Sequence, residues 1–260
     1  MELIVERPNK QIYRKEGQRV KLFGESVPAS DVLTEALNHA RAFEAGLPVP
    51  CLREVTKLDG KWAVIADFVE GPTLLERMEA EPGNPDLMEL FVRLQMRVHA
   101  ASAPQMQRQK DKLNRRISAS AACGLDATTR YELHVRLEAM PDHQKVCHGD
   151  FVPSNVLLRS VSAGAASVSV GAAWEEALII DWSHATQGNA SADAANTYLT
   201  LLKQGRDGLA SAYLKLYCER SDTALQYIQR WIPIAAGAQL CKCRTEEERV
   251  FYRGWCEGVV

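Results

Sequence analysis

The sequence has no surplus of either charge: 31 Lys and Arg stand against 33 Asp and Glu in 260 residues, a formal net charge of −2. A chain built to track a phosphate backbone carries a clear basic excess, so the balance argues against a dedicated nucleic-acid binder. No apolar run approaches the roughly 18 residues that a membrane span needs. The opening residues MELIVERPNK lack the basic-then-apolar order of an export signal. A soluble, cytoplasmic protein without membrane partners is expected. There is no cysteine framework either. The seven cysteines are scattered, only Cys241 and Cys243 lie close, and neither a second pair nor a nearby His completes a tetrahedral zinc set. No internal repeat and no long block of one charge is present. The basic run Arg108–Arg116 contains no aromatic residue, so it lacks the stacking side chains of a single-strand groove and reads as a solvated helix face.

What is present is an ordinary globular composition, 46% hydrophobic and 25% charged, in a length that suits one domain of two lobes or two small domains. Residues 1–70 read as five strands and one helix. The runs Leu3–Val5, Gln11–Tyr13 and Arg19–Phe23 are separated by turn signals at Pro8-Asn9 and Glu16-Gly17. Leu33, Ala36, Leu37 and Ala40 then recur at helical spacing, with Ser30 as the expected N-cap and Gly46 as the stop. Strands over Leu52–Leu58 and Trp62–Val69 flank Asp59-Gly60, a strong hairpin signal.

Beyond Pro72 the pattern becomes mainly helical, with helices expected to end near His99 and to cover about 104–119 and 126–140. The interruption is 145–186, where the short apolar runs Asn155–Leu158 and Ala177–Ile180 flank Ser160–Ala173. That small-residue stretch holds no acid, base or ligand-type side chain and is expected to be dispensable for chemistry. The late aromatics, Tyr213, Tyr217, Tyr227, Trp231, Phe251, Tyr252 and Trp255, fall at helical spacing and read as core. Thr245 with Glu248 three residues on reads as a capping box. The acids Glu219, Asp222, Glu246, Glu247 and Glu257 in the last helices suggest an acceptor that carries an amine.

The chemistry concentrates in His148-Gly149-Asp150-Phe151-Val152-Pro153-Ser154-Asn155, which opens into an apolar strand, and in Leu178-Ile179-Ile180-Asp181, which closes one. Phosphoryl transfer from ATP uses this set of groups: one carboxylate to orient the attacking hydroxyl, and an amide oxygen with a second carboxylate to hold Mg²⁺ on the phosphates.

The His148-x-Asp150-x-x-x-x-Asn155 spacing followed by Ile180-Asp181-Trp182 resembles the catalytic loop and metal motif of the aminoglycoside phosphotransferase/choline kinase family, small-molecule kinases of the protein-kinase-like superfamily. Gly149 after the His and Val152 two residues past the Asp fit that family better than kinases acting on proteins. The resemblance spans about residues 10–205. It implies a two-lobed α+β kinase-like fold: a five-stranded N-lobe with one helix, residues 1–70, for nucleotide binding, and a larger, mainly helical C-lobe, 71–260, for catalysis and acceptor binding. It further implies Lys21 as the ATP anchor with Glu35 as its ionic partner, and Phe68 and Val69 as the hinge that meets the adenine. Asp150 becomes the catalytic base, Asn155 and Asp181 the magnesium ligands, and His148 and Asp193 supports of the loop, Asp193 closing Gly188-x-x-x-x-Asp193. The cofactors are then ATP and Mg²⁺, and the partner a small-molecule acceptor such as an amino alcohol, a sugar or an aminoglycoside. One departure stands out. Residues 6–13 carry no glycine where a kinase loop reads G-x-G-x-x-G, so a looser backbone hold on the phosphates is expected. Two other readings use the same residues: a nucleotide-binding module without activity, and a metal-dependent hydrolase built on His148, Asp150, Asp181 and His184.

Overall fold

The structure, a computed structural model, describes residues 1–159 and 177–258; Ser160–Ala173 lies outside the described residues. Strands β1 (Glu2–Arg7), β2 (Lys10–Lys15), β3 (Gln18–Phe23), β4 (Leu52–Leu58) and β5 (Lys61–Asp67) form one antiparallel sheet in the order β1-β2-β3-β5-β4. Helix α1 (Ala29–Glu44) lies between β3 and β4 in sequence, and α2 (Leu74–Ala80), α3 (Pro85–Ala100), α4 (Gln109–Ala119) and α5 (Ala127–Ala139) follow. Four three-residue strands make two small ladders: β6 (Lys145–Cys147) pairs with β9 (Thr186–Gly188), and β7 (Val156–Leu158) with β8 (Ala177–Ile179). The chain ends in α6 (Ala190–Lys203), α7 (Asp207–Ser221), α8 (Leu225–Gln229), α9 (Ile232–Leu240) and α10 (Glu246–Glu257). Two compact units result, Met1–Phe91 with Pro153–His184, and Val92–Val152 with Ala185–Val260.

The sheet of the first unit follows from its turns and its alternation. Glu16 and Gly17 (φ 49° and 75°), and Asp59 and Gly60 (φ 49° and 81°), all take positive φ, which the tight two-residue hairpin demands of both central positions. Along β3, Val20 and Leu22 join Ala63 and Ile65 on one face, while Phe23 packs with Val64 and the α1 residues Val32 and Ala36 on the other. Lys21 pairs with Val64 across the strands and so points to the α1 side.

Helix α1 starts two residues earlier than the Ser30 signal suggests. Pro28 takes the N-cap position without a side-chain cap, and Asp31 supplies the first-turn acid. Its end matches the glycine signal: the Gly46 N–H donates to Phe43 O (2.9 Å) and the Leu47 N–H to Ala42 O (3.1 Å), which is a Schellman stop with Gly46 at φ 74°. A Cβ on Gly46 would meet nothing within 4 Å, so only backbone strain opposes a side chain there. Gly46→Ala is expected to lower stability by about 1–2 kcal/mol, read by urea unfolding; an unchanged midpoint would contradict this account of the helix end.

The second unit is built on α9, which is apolar on all sides. Ile232, Ile234, Ala235, Ala236, Ala238 and Leu240 are all buried beneath α4, α5, α6 and α10, as a helix without a polar face requires. Of the late aromatics, Tyr213, Tyr217, Trp231 and Tyr252 are buried in this unit. Among the described residues no helix is long and apolar enough to cross a membrane.

Candidate active site

In the first unit the chemistry gathers around Asp181. Lys21, buried to 1% exposure, reaches Glu35 of α1 at 2.5 Å and Asp181 at 3.2 Å. A buried ammonium in this position needs such partners, since leaving either charge alone in the interior would cost about 3–5 kcal/mol. Lys10, the first residue of β2, also reaches Asp181, Nζ to Oδ2 2.9 Å. Burial alone would push the Asp181 carboxyl up; the charges of Lys21 and Lys10, the hydrogen bond from Lys10 and the charge of Arg19 outweigh it and hold the group well below the usual carboxylate range. Asp181 therefore stays an anion at neutral pH. Its φ of 65° turns it out of the strand end in the left-handed region, which Asp tolerates better than most residues. The neighbouring backbone is fixed: Asn38 of α1 donates to Trp182 O (3.2 Å), and the Trp182 indole donates to Ile179 O (3.0 Å). Asn155 is brought alongside, because Ile180 N–H donates to Asn155 O at 2.9 Å where β7 and β8 begin to pair. Phe68 follows β5, its N–H on Gly17 O (2.9 Å) and the Arg14 guanidinium over its ring at 4.7 Å; Val69 next to it is buried.

In the second unit one buried carboxylate organises the loop that bears Asp150. Asp193 accepts from the backbone N–H of Gly149 (2.7 Å) and of His148 (3.2 Å), from Gln95 Nε2 (3.3 Å), and lies 3.0 Å from His99 Nε2. His99 Nδ1 in turn meets the Tyr217 hydroxyl at 3.0 Å, and Tyr213 donates to Gln95 Oε1 at 2.6 Å. Burial would raise the Asp193 carboxyl, but the hydrogen bond and charge of His99, with those backbone donors, hold it below its ordinary value. Two further bonds fix the loop from α6: Asn196 Nδ2 to Gly149 O (3.1 Å) and Thr197 Oγ1 to Phe151 O (2.9 Å). The glycine that opens this motif is forced, since a Cβ on Gly188 would sit 2.3 Å from Gln109 Cβ. That close approach lets Gln109 Oε1 accept the Asn189 N–H (2.8 Å) and Asn189 cap α6 through Ser191 N (2.9 Å). His148 is buried, and Asp150 half-buried.

The sequence profile of the phosphotransferase enzyme family matches residues 20–228. The chain belongs to that family. No curated protein is similar in sequence, but solved structures of phosphotransferases share the fold along nearly the whole chain. An aminoglycoside phosphotransferase, APH(4)-Ia, superposes with a TM-score of 0.70 at 15% identity, over 99% of this chain and 91% of its own. An aminoglycoside-3'-phosphotransferase of type VIII gives 0.64 at 19% identity, over 100% and 93%. Choline kinase LicA from Streptococcus pneumoniae gives 0.63 at 12% identity, over 100% and 94%. Structures of APH(4)-Ia mutants hold hygromycin B together with ADP or with AMP-PNP. The two-lobed α+β kinase-like fold expected for this family is the fold of the chain.

Within this family member the structure brings Lys21, Glu35, Asp181 and Asn155 together in the first unit, and His148, Asp150 and Asp193 in the second. Phe68 and Val69 follow β5 in the first unit. Sequence reasoning missed several residues. Lys10 was seen only as part of a glycine-free loop, and its partner lies 171 positions away. Tyr213 and Tyr217, which complete the Asp193 network with Gln95, read only as core aromatics at helical spacing, and Gln95 carried no signal of its own. Among the described residues no three His, Cys, Asp or Glu side chains converge as a metal cage.

Proposed function

We propose that the chain is an ATP-dependent small-molecule kinase that moves the γ-phosphoryl group to an acceptor hydroxyl. The observation that carries this reading is the buried Lys21–Glu35–Asp181 set, 2.5 and 3.2 Å apart: an anchored cation for phosphates beside a carboxylate kept ionised. ADP and AMP-PNP in the structures of relatives that share the fold support ATP as the donor. Nucleotide binding then falls to residues 1–70, with Phe68 and Val69 meeting the adenine, and catalysis and acceptor binding to 71–260.

The donor set suits magnesium. Mg²⁺ takes hard oxygen ligands, keeps several waters and uses one or two protein groups plus the phosphates rather than a full protein cage. Asp181 and Asn155 are such groups, an ionised carboxylate and an amide oxygen on neighbouring strand ends. Bound there with ATP, the ion would neutralise charge on the phosphates. Lys21 holds the α- and β-phosphates, and Glu35 holds Lys21. Lys10 supplies by charge what a glycine loop supplies through backbone N–H groups. Asp150 orients the acceptor hydroxyl and takes its proton; Asp193 and His148 hold the loop that presents it.

The test is ADP release measured across a panel of hydroxylated small molecules. Release is expected only when Mg²⁺ and a suitable acceptor are both present. Nucleotide binding with no release for any acceptor would favour a binding module, and release of phosphate to water without an acceptor would favour a hydrolase.

A further inference from the structure

We infer that Arg19 and Lys10 are phosphate-contacting residues of the nucleotide site, strung with Lys21 along one face of β2 and β3 so that side-chain charge grips the polyphosphate tail. This deepens the kinase reading and rests on it. Strand alternation decides the face. Arg19 pairs with Arg14 and Ala66, Lys21 with Ile12 and Val64, and Lys10 with Phe23. Residues directly opposite one another point to the same side of a sheet. The contact from Lys21 to Glu35 makes that side the α1 side. β2 and β3 therefore put all their basic residues except Lys15 on it, while Val20 and Leu22 pack on the other face with Ala63, Tyr13 and Leu58.

Order along the strands gives each cation its place. The Phe68 N–H donates to Gly17 O, so β3 starts at the hinge, and Arg19, Lys21 and Phe23 follow away from it at intervals of about 7 Å. Lys10, opposite Phe23, lies farthest from the hinge, and the Gly24 N–H on Asn9 O (2.9 Å) fixes the residue before it. Asp181 marks that far end: Lys21 and Lys10 each hold one of its oxygens, 3.2 and 2.9 Å away. A nucleotide laid with its adenine at Phe68 and Val69 would pass Arg19 first, at the phosphate nearest the sugar, then Lys21, and Lys10 last. Charge on this face leaves room for such a ligand. Lys21 has Glu35 and shares Asp181 with Lys10, and Arg14 is taken by Glu70 and lies over Phe68. Arg19 is half-buried and, among the described residues, makes no ion pair. Burial lowers its guanidinium from the ordinary value; Asp181 and Glu35, both already engaged with lysines, oppose this. A cation held part-way into the protein without a paired carboxylate costs stability, and a two-pronged contact to phosphate oxygens would offset that cost.

The test is calorimetric titration of the full chain with AMP, with AMP-PNP plus Mg²⁺, and with inorganic tripolyphosphate. Arg19→Met is expected to weaken both AMP and AMP-PNP about tenfold, the scale of one charge-assisted hydrogen bond. Lys10→Met should weaken AMP-PNP by a similar factor and leave AMP at the wild-type affinity, because Lys10 serves the far end of the tail. Arg19→Lys should recover part of the loss. A urea-unfolding midpoint for Arg19→Met at or above the wild-type value would separate this role from a structural one, since the variant removes a half-buried cation without breaking an ion pair. Wild-type AMP-PNP affinity in either Met variant, or a fall in affinity for Arg19→Met matched by a fall in its unfolding midpoint, would overturn the inference. Tripolyphosphate binding that depends on Lys10 and Arg19, in a chain that releases ADP with no acceptor of the panel, would uphold the cationic face and sink the kinase reading instead.

Discussion

Asp150→Asn is expected to bind Mg-AMP-PNP with wild-type affinity and to turn over about 10²–10⁴-fold more slowly, the range that a lost general base accounts for. The substitution keeps the size of the side chain and removes its charge and its ability to take a proton. The loop itself should stay in place, because Asp193 and Asn196 hold it through the backbone of His148 and Gly149. A fall in kcat with a steady KM is the expected signature. Turnover at the wild-type rate would remove Asp150 from the chemistry.

The second large effect concerns stability. Asp193→Ala should cost about 3–5 kcal/mol, read by urea unfolding, because it strands several buried donors at once in addition to deleting a buried charge. The N–H groups of His148 and Gly149 and the His99 ring lose this acceptor, while Gln95 Nε2 keeps Thr197 Oγ1 at 3.1 Å. Asp193→Asn keeps one acceptor oxygen and should lose less. The pH dependence has a definite sign. The folded Asp193 carboxyl sits below its ordinary value, so its contribution is present above the unfolded value of about 3.9 and disappears as pH falls through the lower folded value. Asp193→Asn should flatten that acid limb. A variant as stable as the wild type would show that the loop is held by something other than this network.

The parts of the molecule that were legible in the sequence are those with local causes. Asp59-Gly60 and Glu16-Gly17 announce tight hairpins because few other pairs take positive φ at both positions, and Gly46 announces a helix end for the same reason. The family was legible through the spacing from His148 to Asn155 and through Asp181 at the end of an apolar run. The link between Lys21 and Glu35 came only with the family likeness, and the 2.5 Å contact gives it a physical form. What stayed hidden depends on long-range pairing. Lys10 looks like any turn lysine until β2 carries it to Asp181. The run Arg108–Arg116 read as a solvated face because charge in a helix ordinarily is, yet Lys112 and Arg116 turn toward the protein once α4 packs on α9. The Thr245 signal was legible for the same local reason: Thr245 caps α10 through Glu248 N (3.2 Å), and the Glu248 side chain also takes the Arg244 N–H (2.9 Å).

The most direct test of the central claim is to follow a radiolabelled γ-phosphoryl group from ATP in the presence of the best acceptor, for the wild type and for Asp181→Asn. The wild type should place the label on the acceptor as a phosphomonoester, only with Mg²⁺ present, and Asp181→Asn should lose both that product and Mg²⁺-dependent nucleotide binding. Label recovered only as inorganic phosphate, or an acceptor labelled equally well by Asp181→Asn, would contradict the account.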